Sequence, residues 1–257
     1  MTTHTIIYFS PTGNVQHLAN RLAKQLEPSG TQLLPLEFTE PDQLERNKHL
    51  VLIHPVHGFN APRTVKRFVK NLPSDLYDLV SIIGVGCNTG WVNGAVSSDL
   101  RKQFNKKGYS IALDEILAMP LTFIMNFPDD LNLKLIAESE KKIEDLSKAL
   151  IEETVTTRNI PAKSYILNFL GKGESPAARM FGLELHANKD CVACGICWEN
   201  CPEKNIKQKK NGKPGFGFSC SMCMRCIYNC PEKAISPRIS KFIPIKNGYS
   251  LSKYLKD

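Results

Sequence analysis

The first 150 residues alternate between short β-favouring apolar runs and stretches in which apolar residues recur at helical spacing. The predicted strands cover residues 5–9, 31–36, 50–53, 79–85 and 110–118. Helices are predicted after the first, third and fourth strands, where for example Leu18, Leu22 and Leu26 are four residues apart. A longer helix over about 131–154 closes this region. The alternation predicts an α/β domain over residues 1–154 with a doubly wound, parallel five-stranded sheet.

Three unusual loops follow predicted strands of this domain. They are Ser10-Pro-Thr-Gly-Asn-Val15, His54-Pro-Val-His-Gly-Phe-Asn-Ala-Pro62 and Gly86-Cys-Asn-Thr-Gly-Trp-Val-Asn-Gly94. Because the carboxyl ends of parallel strands meet at one edge of a sheet, we expect the loops to lie together. The first loop brings the side chains of Ser10, Thr12 and Asn14 to a helix N-terminus and contains no Lys or Arg. It predicts a site for a terminal phosphate, with an ordinary helix N-cap as the alternative.

The last third of the chain carries the same cysteine pattern twice. Its copies are Cys191, Cys194, Cys197 and Cys201-Pro202, then Cys220, Cys223, Cys226 and Cys230-Pro231. This run is typical of bacterial proteins with two [4Fe–4S] clusters, in which the fourth cysteine of each copy binds the other cluster. We therefore assign Cys191, Cys194, Cys197 and Cys230 to one cluster, and Cys220, Cys223, Cys226 and Cys201 to the other. Structural zinc and disulfides are the alternatives, and both fit a duplicated four-cysteine run less well.

The segments on either side of this cysteine region, which we place at residues 184–237, are less regular. Prolines and glycines interrupt residues 155–183, which predicts a linker with short helices. Within it we expect Tyr165, Phe169 and Phe181 to pack on a domain. The tail, residues 238–257, is rich enough in apolar residues that we expect it to dock on a domain.

Charge and hydropathy restrict the partners of the protein. The formal net charge is +8, and residues 184–257 hold thirteen Lys and Arg against six Asp and Glu. This excess favours acidic protein partners. Without aromatic residues among the basic ones, nucleic-acid binding is not expected. No apolar run is long enough for a membrane span or a signal peptide, so we expect a cytoplasmic protein.

The first 150 residues resemble flavodoxin, and the whole chain resembles flavodoxin–ferredoxin fusion proteins, on the basis of the three loops and the cysteine repeat. The resemblance implies an FMN-binding domain followed by a small α+β bacterial ferredoxin-type domain. It implies FMN phosphate binding by Ser10, Thr12, Gly13, Asn14 and Val15. It implies flavin contacts from Pro55, His57, Gly58, Asn88, Thr89, Gly90, Trp91 and Asn93. His57 and Trp91 are expected to flank the flavin ring.

The predicted function is electron transfer between two [4Fe–4S] clusters and FMN, in the service of other redox proteins. One alternative is a small flavin-dependent reductase of an organic acceptor, which its clusters would supply with electrons. Another is a ferredoxin whose flavodoxin-like domain is an empty docking module. Arg63, Lys66, Arg67 and Lys70 follow the second loop without an acidic residue among them. Positive charge there would raise the flavin potential and favour electron flow from the clusters to the flavin.

Overall fold

The computed structural model describes residues 3–255. Within this range the chain forms two compact units. Unit 1 comprises residues 3–120 and 129–172, and unit 2 comprises residues 121–128 and 173–255. Residues 155–183, for which the sequence predicts a linker, are thus divided between the units at residue 172.

Unit 1 is built on a parallel six-stranded sheet. Its strands are β1 (His4–Tyr8), β2 (Thr31–Pro35), β3 (Asn47–Pro55), β4 (Tyr77–Gly86), β5 (Ser110–Ala118) and β6 (Thr156–Thr157). They are arranged in the order β2-β1-β3-β4-β5-β6. The first five strands are those predicted, and their order is that of the flavodoxin-like doubly wound fold. The sixth strand was not predicted, and pairs its two residues with Leu113 and Asp114 of β5.

The helices of unit 1 pack against this sheet or against the loops at its edge. They are α1 (Asn14–Leu26), α2 (Arg63–Asn71), α3 (Ser98–Lys106), α4 (Asp129–Ile151) and α5 (Ala162–Gly171). One core contains apolar strand residues such as Phe9 and Leu52 packed with Val65 and Phe68 of α2 and Phe104 of α3. On α1 and α4, which pack against each other, the apolar residues at helical spacing are also buried. The helical periodicity in the sequence therefore marks the faces that the structure buries.

Unit 2 is a small α+β unit. Its elements are α6 (Glu174–Glu184), β7 (Leu185–Ala187), α7 (Ile196–Glu199), β8 (Ile206–Gln208), β9 (Pro214–Phe216), α8 (Arg225–Tyr228) and β10 (Ile235–Pro237). The strands form two antiparallel pairs, β7 with β10 and β8 with β9. Strands β8 and β10 each begin five residues after the fourth cysteine of a motif. The sequence repeat is therefore also a repeat of local structure.

The expectations for single aromatic residues before the first motif have mixed outcomes. Phe181 is buried in the core of unit 2 with Leu185 and Met224, as expected. The expectation for Tyr165 and Phe169 is wrong, because both are exposed and Phe169 retains 71% of its accessible surface. The physical reason is that α5 buries polar residues, as described below.

The tail after β10 makes contacts inside unit 2. The Glu184 carboxylate accepts hydrogen bonds from the backbone N–H groups of Ile239 and Ser240 at 3.1 and 2.7 Å. The N–H of Ile245 donates to the Tyr228 hydroxyl at 2.9 Å. The rings of Tyr228 and Tyr249 lie 6.4 Å apart. These contacts hold the tail against α6, through Glu184, and against α8, through Tyr228.

Within residues 3–255, no helix is long and apolar enough to cross a membrane.

Candidate cofactor-binding sites

Unit 2 contains two cavities, each lined by four cysteines. One is lined by Cys201, Cys220, Cys223 and Cys226, and the other by Cys191, Cys194, Cys197 and Cys230. In each cavity three cysteines come from one motif and the fourth comes from the other motif. The structure thus brings together the same two sets of four that the sequence assigned to two clusters.

The two motifs adopt the same unusual backbone conformations at corresponding positions. Three pairs of residues have positive φ: Ala193 (57°) and Met222 (52°), Gly195 (90°) and Met224 (62°), and Lys204 (48°) and Lys233 (46°). Five of these six residues have side chains, for which the left-handed region is unfavourable. The repeat of the cysteine pattern is therefore accompanied by a repeat of the backbone conformation.

Backbone N–H groups point at three of the cysteine sulfurs. Asn205 donates to Cys201 Sγ and Ala234 donates to Cys230 Sγ, each at 3.3 Å and each from four residues further along the chain. Met222 donates to Cys220 Sγ, also at 3.3 Å. Hydrogen bonds of this kind stabilise a thiolate, and around an iron–sulfur cluster they influence its reduction potential.

Burial keeps several of these thiols protonated in the absence of metal. It raises the pKa of Cys220 to about 12 and that of Cys197 to about 11. The pKa values of Cys223 and Cys226 are also raised, mainly by burial. Since only thiolates bind metal, a metal group entering these cavities would release protons.

The donor set of each cavity consists of soft thiol ligands, which suit zinc or an iron–sulfur cluster. In the part of the chain that the structure describes, no three His, Cys, Asp or Glu side chains converge as they would around one metal ion. A cubane cluster binds one thiolate at each of its four iron corners. Four cysteines around a shared cavity fit that arrangement.

The three loops of unit 1 leave neighbouring strands at the same edge of the sheet. They follow β1, β3 and β4, which are adjacent in the order β1-β3-β4. Sheet-like hydrogen bonds continue at the start of two of them, from Phe9 N to Ile53 O at 3.0 Å and from Val56 N to Val85 O at 2.8 Å. The expectation that these loops lie on one rim is therefore met in the structure.

The first loop, Ser10 to Val15, leads directly into α1. Gly13 immediately precedes the helix, and Thr12 is partly exposed. The Ser10 hydroxyl accepts a hydrogen bond from the N–H of Gln16 at 2.9 Å. The Asn14 side chain donates to the carbonyl of Pro120 at 2.9 Å, so this predicted anion donor also makes an internal contact. The helix N-terminus and the Thr12 hydroxyl keep the features of an anion site.

The second loop turns sharply at Gly58 and Phe59. His57 and Asn60 exchange two backbone hydrogen bonds of 2.9 Å. Between them Gly58 has φ 47° and Phe59 has φ 60°, the two positive values of a type I′ turn. The Asn60 side chain donates to the Gly58 carbonyl at 2.9 Å, which fixes the orientation of that peptide. His57, predicted to flank the flavin ring, lies at the start of this turn and is partly exposed.

The third loop presents an exposed strip, Asn88, Thr89, Gly90 and Trp91, above a buried Asn93. The Asn93 side chain donates to the carbonyl of Asn88 at 2.7 Å and closes the loop. The Trp91 ring is 43% exposed, and Lys163 Nζ lies 4.7 Å from its centroid. The third loop therefore exposes an aromatic face, and the flanking of a flavin ring by Trp91 stays a prediction.

The charge next to the second loop is less positive than the sequence suggests. Lys66 Nζ lies 3.4 Å from the Asp99 carboxylate of α3, a residue distant in the sequence. Burial lowers the pKa of His54 to about 4, so this imidazole is neutral at pH 7. The Lys66 charge is thus compensated, which weakens the argument for a raised flavin potential.

The sequence predicts short helices in residues 155–183, but it does not indicate that one of them, α5, contacts the second and third loops. The Ser164 hydroxyl donates to the carbonyl of Trp91 at 2.7 Å, and Asn168 makes hydrogen bonds to the second loop. The available signal was the spacing of Ser164, Asn168 and Gly171, which places small or polar residues on one helical face.

Comparison with known proteins finds limited similarity. No family model matches the chain. Over 60 residues it is 38% identical to the sulfite reductase [NADPH] flavoprotein alpha-component of Bacillus subtilis (strain 168). The match covers 23% of this chain and only 10% of that protein.

Among solved structures, similarity is found to oxidised Flavodoxin 2 from Bacillus cereus, with 17% identity and a TM-score of 0.44 over 59% of this chain and 99% of that chain. Fusobacterium nucleatum flavodoxin bound to flavin mononucleotide has 14% identity and a TM-score of 0.43, over 60% of this chain and 99% of that chain. The fold assignment of unit 1 itself depends on its strand order, which is that of the flavodoxin-like α/β fold.

Proposed function

We propose that the protein is an electron-transfer iron–sulfur flavoprotein. Two [4Fe–4S] clusters in unit 2 and an FMN in unit 1 would exchange single electrons and serve other redox proteins. The observation that carries this proposal is the pair of cavities, each lined by three cysteines of one motif and the fourth cysteine of the other.

The surroundings of the cysteines support clusters over a simple zinc site. Residues with positive φ occur at corresponding positions of both cysteine loops and give the two loops the same backbone conformation. Backbone N–H groups donate hydrogen bonds to the sulfurs of Cys201, Cys220 and Cys230. The crossed arrangement makes the motifs depend on each other for a complete set of ligands. When bound, the clusters supply one-electron transfer at potentials set by hydrogen bonding and burial.

The proposal of FMN depends on the loops of unit 1. They leave β1, β3 and β4 of a flavodoxin-like sheet, at the edge where doubly wound folds bind ligands. The first loop meets a helix N-terminus, where Ser10, Thr12 and the backbone would hold the terminal phosphate. His57 and Trp91 lie in the two loops that would hold the ring. The similarity of 60 residues to a flavoprotein component agrees with this assignment.

The combination of cofactors defines the function. A flavin exchanges one or two electrons and a cluster exchanges one, so a chain that binds both converts between the two kinds of chemistry. Covalent linkage of the two units keeps donor and acceptor at high effective concentration. The basic excess of residues 184–257 favours redox partners with acidic surfaces.

The test is anaerobic purification followed by metal, sulfide and flavin analysis. We expect about eight iron and eight sulfide per chain, from two [4Fe–4S] clusters, and a released flavin that runs as FMN. Cys87→Ser is the control for the loss of a cysteine, because Cys87 is the one of the nine cysteines that lies outside both motifs. This variant should retain all its iron. Zinc in place of iron would refute the cluster proposal, and released FAD would refute the FMN proposal.

A further inference from the structure

Helix α5 has its amphipathic character reversed. It buries Ser164 and Asn168, which are 1% and 4% exposed, while Ile166 and Phe169 are largely exposed. Surface helices normally bury their apolar face. A buried polar face is stable only where its hydrogen-bonding groups are satisfied.

Asn168 supplies the largest share of these contacts. Its side-chain Nδ2 lies 2.8 Å from Asn60 Oδ1, 3.2 Å from the Phe59 carbonyl and 3.1 Å from the Ala95 carbonyl. In return, Asn60 Nδ2 donates to the Asn168 carbonyl at 2.9 Å. Phe59 and Asn60 belong to the second loop, and Ala95 directly follows the third. One amide group therefore connects the two loops.

The same helical face touches both loops closely through residues without bulky side chains. Gly171 packs so tightly that a Cβ there would overlap the Gly58 carbonyl oxygen. On the other loop, a Cβ on Gly94 would lie 2.5 Å from Ser164 Oγ. Ser164, Asn168 and Gly171, at positions i, i+4 and i+7, form the surface that we call the α5 clamp.

The chain is anchored just before α5 by a buried ion pair. Arg158 Nη2 lies 3.3 Å from a carboxylate oxygen of Asp114, which is fully buried, and Arg158 Nε donates to the Asp114 carbonyl at 3.1 Å. Arg158 Nη1 also reaches the Gly94 carbonyl at 3.4 Å. The segment before α5 is therefore attached to the sheet through Asp114 and to the third loop through Gly94.

We infer that the α5 clamp is a structural part of the flavin site and that Asn168 is its central positioning residue. This inference rests on the proposed function, because the second and third loops are those assigned to the flavin ring. By joining Asn60 to Ala95, the clamp fixes the distance between the two loops. By packing on the Gly58 carbonyl, it also restricts rotation of that peptide. Loops held in their binding conformation bind a ligand with a smaller loss of conformational entropy.

The experiment compares Asn168→Ala and Asn168→Asp with the wild-type full-length protein. The aspartate has the shape of asparagine but lacks its donor, and so faces three acceptors without a hydrogen to share. Ile166→Ala is the matched control on the exposed face of the same helix. Two quantities are measured: hydrogen exchange of residues 57–60 and 88–95 without flavin, and the Kd for added FMN.

We expect both Asn168 variants to exchange faster in both loops and to bind FMN about tenfold more weakly, a loss of about 1.4 kcal/mol. The control should match the wild type in both measurements. Gly171→Ala should accelerate exchange in residues 57–60 more than in residues 88–95, because its Cβ meets only the second loop. This variant remains informative if the Asn168 variants fail to fold.

The outcomes separate this inference from the proposed function. If the wild type does not bind FMN but hydrogen exchange in the two loops is faster in the Asn168 variants, the FMN proposal is wrong. The α5 clamp would still be shown to hold the two loops. If hydrogen exchange were unchanged in both the Asn168 and the Gly171 variants, the inference that the α5 clamp holds the two loops would be wrong. Faster exchange with an unchanged FMN Kd would overturn the role of Asn168 in positioning the flavin loops.

Discussion

Arg225 Nη1 donates a hydrogen bond to the backbone oxygen of Asn200, 3.2 Å away. Asn200 precedes Cys201, the cysteine that the first motif contributes to the cavity of the second. Arg225 lines this cavity and is only 7% exposed. The corresponding position of the first motif is Ile196, an exposed apolar residue. The two cavities therefore differ by one buried positive charge.

This difference predicts unequal potentials for the two proposed clusters. Reduction adds negative charge, which a buried guanidinium stabilises, so the cluster beside Arg225 should have the higher potential. Glu203 and Glu232 line the two cavities at corresponding positions and do not distinguish them. Arg225→Met should lower the potential of this cluster, whereas Arg225→Lys, which keeps the charge, should shift it less. EPR-monitored redox titration measures both couples, and an unchanged couple in Arg225→Met would contradict the prediction.

The crossed ligand sets predict that each motif controls the other motif's cluster. Cys201→Ala should damage the cluster held by Cys220, Cys223 and Cys226 and leave the other largely intact. Cys230→Ala should have the reciprocal effect on the cluster of the first motif. EPR of the reduced variants distinguishes the two clusters if their potentials differ as predicted. Loss of only the cluster of its own motif in either variant would show that the ligands are not crossed.

The fold of unit 1 was predictable because its buried positions are mostly apolar. β1, β3 and β4 are short apolar runs that the sheet buries almost continuously, and α1 to α4 bury apolar residues that recur at helical spacing. β6 was not predictable, because it consists of Thr156 and Thr157, two exposed residues without any apolar pattern. Its pairing depends on the sheet edge that β5 presents, which is a tertiary property.

The candidate sites were predictable to different degrees for a related reason. Cysteine spacing identifies both sets of four, since the chemistry allows few other arrangements. The α5 clamp was missed because its buried face is polar, and hydropathy places such a face in solvent. The compensation of Lys66 by Asp99 was missed because the two residues are 33 positions apart and meet only in the folded protein.

The backbone of the cysteine loops predicts unequal effects on stability for two neighbouring substitutions. Gly195 has φ 90°, and a Cβ there would lie 2.9 Å from Glu199 Oε1. Gly195→Ala should therefore destabilise unit 2 by about 1–2 kcal/mol, from an unfavourable left-handed residue. Ala193 has φ 57°, so Ala193→Gly should be close to neutral because relief of strain offsets the greater flexibility of the unfolded chain. Anaerobic thermal unfolding, followed by cluster absorbance, measures both, and equal losses would contradict the argument.

Two of the buried histidines of unit 1, His49 and His54, predict that it is acid-sensitive. Burial lowers the pKa values of His49 and His54 to about 4, from an ordinary value of 6.5. Between these values the unfolded chain binds protons that the folded chain does not. The stabilising contribution is therefore complete above pH 6.5 and is lost as the pH falls toward 4. Each histidine should reduce the free energy of unfolding by up to about 1.4 kcal/mol per pH unit in this window.

The contribution of His49 can be isolated because its neighbours are defined. Its imidazole stacks on His4 with 5.5 Å between ring centroids, and its Nε2 lies 2.8 Å from Ser81 Oγ. His49→Gln removes the titrating group and should flatten the fall in stability between pH 6.5 and 4. Ser81→Ala removes only the hydroxyl partner and should keep the steep slope. Urea unfolding followed by Trp91 fluorescence, in a Trp198→Phe background, measures the slopes, and equal slopes in the wild type and His49→Gln would show that another group causes the acid sensitivity.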